Sequence, residues 1–222
     1  MTESRELFVD LIPTSAWFSN LRSELTPDEW VMVKTGTYRA AHYRCEKCGG
    51  RGPDHPVECH ERWHFDEPSG VQTLLGTIAL CPDCHEATHF GFARVKGRAD
   101  EARETLMRVN GWSRAEADRH IRDAMEIWKR RSRIAWTLDA SWLVEHFPDL
   151  SEPTRVKILD HAAGLRNRQV QQPEKALVDR VSSEMGIRTG GRAFPQGRPP
   201  VLGSRLIQFV RSLFGRADAG NL

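Results

Sequence analysis

Hydrophobic and polar positions repeat every three to four residues in several parts of the chain, which predicts amphipathic helices. One predicted helix runs from Thr26 to about Ala41 and begins with a Thr-Pro-Asp-Glu capping box. A second runs from Ser113 to about Ser132 and begins with Ser-Arg-Ala-Glu, and a shorter one covers residues 99–109. The predicted structure is therefore mainly helical.

Between these helices, residues 57–80 have the pattern of an antiparallel β-hairpin. Residues 57–64 and 73–80 are strand-like, and the turn sequence Asp-Glu-Pro-Ser-Gly lies between them. A further helix is predicted to begin near Pro82 and to end around Gly91. The order strand, strand, helix forms a ββα unit, so the predicted fold class is α+β.

By composition and predicted elements, the chain has four parts. They are an N-terminal arm and helix (residues 1–40), a module with the ββα unit (41–97), a helical extension (98–150) and a basic, partly helical C-terminal region (151–222). In the last part the predicted elements are helices at 153–165, 173–185 and 204–215 and a Gly/Pro/Arg-rich linker at 189–200.

Composition is typical of a globular protein of one or two domains, with 222 residues, 39% of them hydrophobic and 28% charged. No stretch approaches the roughly 20 apolar residues that cross a bilayer, and the N-terminus has no signal-like apolar segment. We therefore expect a cytoplasmic protein without a membrane partner. Residues 151–222 hold twelve Lys/Arg against six Asp/Glu. This region could contact a polyanion or a protein partner, or be a solvated tail.

Two Cys-x-x-Cys pairs, Cys45 with Cys48 and Cys81 with Cys84, flank the predicted hairpin. Four thiolates in this spacing predict a closed tetrahedral site for a structural Zn²⁺. The alternative is free thiols or a redox pair. The fifth cysteine, Cys59, fits a small buried hydrophobic residue. Because the other four cysteines have the spacing of metal ligands, the sequence favours a reducing cytoplasm over a disulfide framework.

Histidines accompany the second cysteine pair, where a purely structural zinc site would need none. His85 and His89 are four residues apart, which places them on one face of the predicted helix. Together with the strand motif, this pattern resembles the HNH (ββα-metal) nuclease family over about residues 41–92. The matching segments are Cys45-x-x-Cys48, Val57-Glu58-Cys59-His60-Glu61 and Leu80-Cys81-x-x-Cys84-His85-x-x-x-His89.

The resemblance implies roles for individual residues. His60 matches the strand residue that binds the catalytic metal, and Glu61 matches the following general base, which in the family is a histidine. His85 and His89 match the metal ligands on the helix. A shift of one position would instead make His60 the base and put Cys59 beside the metal. Because adjacent strand residues face opposite sides, only one of His60 and Glu61 can face the helix histidines.

The implied reaction is metal-dependent hydrolysis of DNA phosphodiester bonds, with Arg62 as a candidate phosphate contact. Imidazole ligands favour Zn, Ni or Mn over Mg as the catalytic divalent metal. Two alternatives stay open from the sequence. One is a catalytically weak or inactive zinc module that binds nucleic acid or a protein partner, and the other is phosphoester chemistry on a different substrate.

Overall fold

The structure, a computed structural model, describes residues 6–165, which all belong to one compact unit of the chain. About 52% of the described residues are helical and three strands form one small sheet, which confirms the α+β class. Within the described range, no helix is both long and apolar enough to cross a bilayer. The predicted helices at 173–185 and 204–215 and the linker at 189–200 lie outside the described residues.

The sheet is built on the predicted hairpin, whose strands are β1 (Glu58–Asp66) and β2 (Val71–Leu80). They pair antiparallel with His60 opposite Ile78, and the register shifts between Arg62 and Trp63. A third strand, β3 (Thr137–Asp139), pairs in parallel with the start of β2 and gives the order β1-β2-β3.

Helices surround this sheet. In chain order they are α1 (Leu21–Glu24), α2 (Pro27–Ala40), α3 (Pro82–Thr88), α4 (Phe90–Val95), α5 (Ala99–Asn110), α6 (Arg114–Arg131) and α7 (Trp142–His146). A 3-10 turn covers Thr14–Ala16, and residues 152–165 are also helical. The predicted capping boxes at Thr26 and Ser113 are both present, and in each the hydroxyl accepts the backbone N–H of a glutamate that bonds back to the cap.

The structure contains a helix break and a strand that the sequence did not predict. The helix predicted from Pro82 to Gly91 ends at Thr88, because His89 leaves helical geometry at φ −86° and ψ 45° before α4 begins. The apolar segment 134–143 contains β3, whose pairing with β2 joins residues more than sixty positions apart and has no local sequence signal.

Among the described residues, three hydrophobic clusters pack against the hairpin, and the smallest of them surrounds Phe65 of β1. The first joins the N-terminal arm, through Leu7 and Val9, to the cysteine turn, β2 and helices α3 to α5. The second joins α1, α2 and α7 to β2 through Leu74 and to β3 through Leu138. Because the N-terminal arm belongs to the first cluster, the chain's first described residues lie beside the cysteines and α3.

Candidate metal centres

The four paired cysteines form the first candidate centre. Cys45 and Cys48 lie in a turn after α2, where the Cys45 N–H donates to the Gly50 carbonyl at 2.9 Å. Cys81 caps the N-terminus of α3 and Cys84 lies in its first turn. The four sulfur atoms all lie within 4.8 Å of one another, so the group could hold a metal ion. A set of four thiols fits a structural zinc.

The thiols affect one another's ionisation because they are so close. Hydrogen bonds from Cys81 and Cys84 lower the pKa of Cys45, and the proximity of Cys45 raises the pKa of Cys81 to about 12. The first thiolate therefore opposes ionisation of its neighbours. A bound cation would remove that opposition, since thiolates are the form that binds zinc.

Three histidines form the second candidate centre. His60 lies on β1 and His85 lies on α3, and His89 is the C-cap residue of α3. Their ring centroids lie 5.5, 4.8 and 4.7 Å apart, and Nδ1 of His60 is 3.2 Å from Nε2 of His89. One nitrogen from each ring lies within 4.8 Å of the others, so this group could also hold a metal ion.

Burial favours the neutral form, which a metal requires, for two of the three histidines. His60 is 3% exposed, and its burial lowers its pKa despite the opposing Asp10 carboxylate. Burial also holds the pKa of His89 well below its ordinary value. Neutral imidazoles are metal ligands, whereas imidazolium is not. The His85 side chain is 22% exposed, so the cluster is open to solvent on that side.

Two carboxylates contact the histidines. Glu58 Oε2 hydrogen-bonds to Nδ1 of His85, and Asp10 Oδ2 is 3.5 Å from Nε2 of His60. Burial alone would raise the pKa of Glu58, but contacts with His85 and His55 lower it to about 2. Carboxylates at the second nitrogen of metal-bound histidines fix the ring orientation.

Sequence reasoning assigned no role to either carboxylate. A signal was present for Glu58, because it is two residues before His60 and therefore on the same face of β1. Asp10 had no such signal, since it reaches the site through a contact across fifty residues of chain.

The structure does not bring Glu61, the expected general base, to the histidines. Its Oε1 accepts the Leu21 N–H at 3.2 Å and its Oε2 accepts the Trp63 indole N–H at 3.1 Å. Burial raises the pKa of Glu61 to about 7. Cys59, also on this opposite face, has its sulfur 3.6 Å from Thr37 Oγ1. The cause is strand alternation, which turns both neighbours of His60 away from α3.

The remaining candidate, Arg62, is half-buried on β1 opposite Gly76 and precedes the register shift. By alternation it shares the strand face of Glu58 and His60. His64, which follows the shift, is exposed.

Comparisons with known proteins add no assignment, because no family model, no curated protein and no solved structure matches this chain. The geometry of the two centres is therefore the basis for a functional proposal.

Proposed function

We propose that this protein is a metal-dependent endonuclease of the HNH type that hydrolyses DNA phosphodiester bonds and carries a separate structural zinc. The observation that supports this most strongly is the convergence of His60, His85 and His89 where the hairpin meets α3, directly beside the four cysteines. A structural zinc site is complete with the four thiols. It does not need the three imidazoles, so we assign them a role other than folding.

In this proposal His60, His85 and His89 hold one divalent metal, which fits Zn, Mn or Ni better than Mg. When bound, such an ion supplies Lewis-acid stabilisation of the negative charge that develops on phosphate and leaving oxygens. Glu58 holds the ring of His85 through its Nδ1, and the open side at His85 admits substrate. Arg62, on the same strand face, is the proposed phosphate contact.

The proton acceptor for the attacking water is assigned by position. Glu61 is not the proposed acceptor, because it lies on the opposite face of β1, where its oxygens accept the N–H groups of Leu21 and Trp63. Glu58 shares the strand face of His60 and its side chain is 35% exposed. Its contacts with His85 and His55 lower its pKa to about 2, so it is an ionised carboxylate at neutral pH. It is the proposed acceptor, while His60 as the base, with Asp10 as its partner, is the alternative.

One observation favours a second candidate function, a module that binds a partner without cutting DNA. A cavity next to α3 is lined by Asp83, Glu86, Glu101 and Glu104 together with two arginines. Carboxylates at this position repel a phosphate backbone and attract basic groups. A basic protein segment would suit this cavity better than DNA.

Cleavage of supercoiled plasmid tests the nuclease proposal directly. We expect wild-type protein to nick or degrade plasmid with Mn²⁺, Ni²⁺ or Zn²⁺ and to lose that activity in EDTA. His85→Ala should abolish cutting with little change in melting temperature, because His85 is not a thiol ligand. The matched control is His64→Ala, which removes an exposed histidine from β1 and should cut like wild type. Equal cutting by both variants would contradict the proposal.

Metal titration in the same assay separates the two roles of His60. If His60 binds the metal, excess metal should partly restore cutting by His60→Ala. If His60 is the base, added metal should restore nothing.

A further inference from the structure

The N-terminal arm, residues 7–12, brings a carboxylate to the histidine centre from outside the ββα unit. Asp10 Oδ2 lies 3.5 Å from Nε2 of His60, and the Asp10 side chain is 18% exposed. Nε2 of His60 is buried and makes no hydrogen bond within the described part of the chain. The other ring nitrogen, Nδ1, points to the cluster, where it is 3.2 Å from His89.

This orientation of the His60 ring leaves its Nε2 in need of a hydrogen-bond acceptor. If Nδ1 of His60 binds a cation, Nε2 carries the ring hydrogen. A buried N–H without an acceptor costs about 1–3 kcal/mol. The Asp10 carboxylate is the charged acceptor placed at this nitrogen.

The arm is held in place by hydrogen bonds to α3, α5 and α6. Asn110, the last residue of α5, accepts the Leu7 N–H at 2.7 Å and donates to the Leu7 carbonyl at 2.7 Å. Nε2 of His120 on α6 accepts the Val9 N–H at 2.9 Å. The Asp10 N–H donates to the carbonyl of Thr88, the residue before His89, at 2.8 Å.

We propose that Asp10 is a positioning residue of the histidine centre, which acts through His60, and that α5 and α6 hold the arm so that its carboxylate reaches that ring. This inference rests on the proposed metal site but not on DNA cleavage. Asp10 and Glu58 then each contact and orient one metal-binding imidazole. The helical extension is thereby part of the site, although it supplies no ligand.

Cobalt binding tests this inference without any activity measurement. Full-length protein with zinc in its thiolate site is titrated with Co²⁺ and followed by calorimetry and by visible absorption. Wild type should take up one Co²⁺ per chain at the histidines, and His85→Ala should take up none. Asp10→Ala should bind Co²⁺ about 10- to 100-fold more weakly at an unchanged melting temperature. Asp10→Asn, which keeps an oxygen acceptor and the side-chain volume, should lose less affinity.

The control variant is Asp123→Ala, which removes an exposed carboxylate from α6 and should bind Co²⁺ like wild type. Wild-type affinity in both Asp10 variants would overturn the inference and leave the proposed function standing. A wild-type protein that takes up no Co²⁺ beyond its zinc would overturn the metal site itself, and the inference with it.

Discussion

At the scale of single residues, the site depends on which side of β1 each side chain faces. His60 faces α3 and the other histidines, whereas Glu61 contacts Leu21 and Trp63 on the opposite side. Two residues that are adjacent in sequence therefore belong to different environments. The carboxylate beside the histidines is Glu58, which has the strand parity of His60.

Substitution of the two glutamates should separate their roles. Glu58→Gln should slow plasmid cleavage by about 10²–10⁴-fold, the usual range for loss of a general base. Glu61→Gln should leave the cleavage rate near that of wild type. It should lower stability slightly, because the amide NH2 group that replaces one carboxylate oxygen cannot accept the N–H group that now bonds there. Slow cleavage by Glu61→Gln together with normal cleavage by Glu58→Gln would reverse this assignment.

At residue level, the sequence could predict which side chains lie close together where their spacing is local. Within each Cys-x-x-Cys pair, and between His85 and His89, a few positions separate the side chains, so turn or helix geometry brings them together. The hairpin between the two cysteine pairs then brings the pairs to each other. Strand alternation showed that His60 and Glu61 face opposite sides of β1. It did not show which of them faces the helix histidines, because the sequence alone left the register open. Asp10 could not be predicted, since its position depends on the packing of a distant arm.

At the scale of elements, α2 is joined to the end of the described chain by one buried carboxylate. Glu29 is 7% exposed and completes the capping box of α2 with Thr26. The same carboxylate accepts the Ser151 N–H at 3.0 Å and the hydroxyls of Ser151 and Thr154 at 2.7 and 2.9 Å. Burial alone would raise the pKa of Glu29, but these hydrogen bonds lower it from 4.5 to about 2.

This shift predicts a pH-dependent contribution to stability. The folded-state pKa is below the unfolded one, so the contribution is complete above pH 4.5 and disappears as pH falls toward 2. Glu29→Gln should therefore lower the free energy of unfolding by about 2 kcal/mol at pH 7 and by progressively less in acid. Urea unfolding at several pH values measures this. Asp28→Asn, an exposed neighbour, should change it by less than about 0.5 kcal/mol. An equal deficit at every pH would contradict the explanation.

Element boundaries were predictable where a local cap determines them. The boxes at Thr26 and Ser113 fix the starts of α2 and α6, and Gly111 ends α5 in the left-handed region at φ 69°. The break at His89 was missed because it carries no glycine or proline signal. The three-residue strand β3 was missed because it exists only through pairing with β2.

At the scale of the whole molecule, the histidine centre draws on three of the four parts that composition defines. The ββα unit supplies His60 and His85, the N-terminal arm supplies Asp10, and the helical extension holds the arm through Asn110 and His120. Local sequence patterns predict the ββα unit. They could not predict how the arm joins the histidines and the helical extension, because these contacts link residues between 50 and 111 positions apart.

The central claim is that the three histidines form a metal centre separate from the thiolate zinc. Anomalous diffraction from a crystal of the full-length protein grown with Ni²⁺ tests it most directly, with data collected at the zinc and nickel absorption edges. We predict zinc among Cys45, Cys48, Cys81 and Cys84 and nickel among His60, His85 and His89. A zinc peak at the cysteines with no nickel peak between the histidines would contradict the claim.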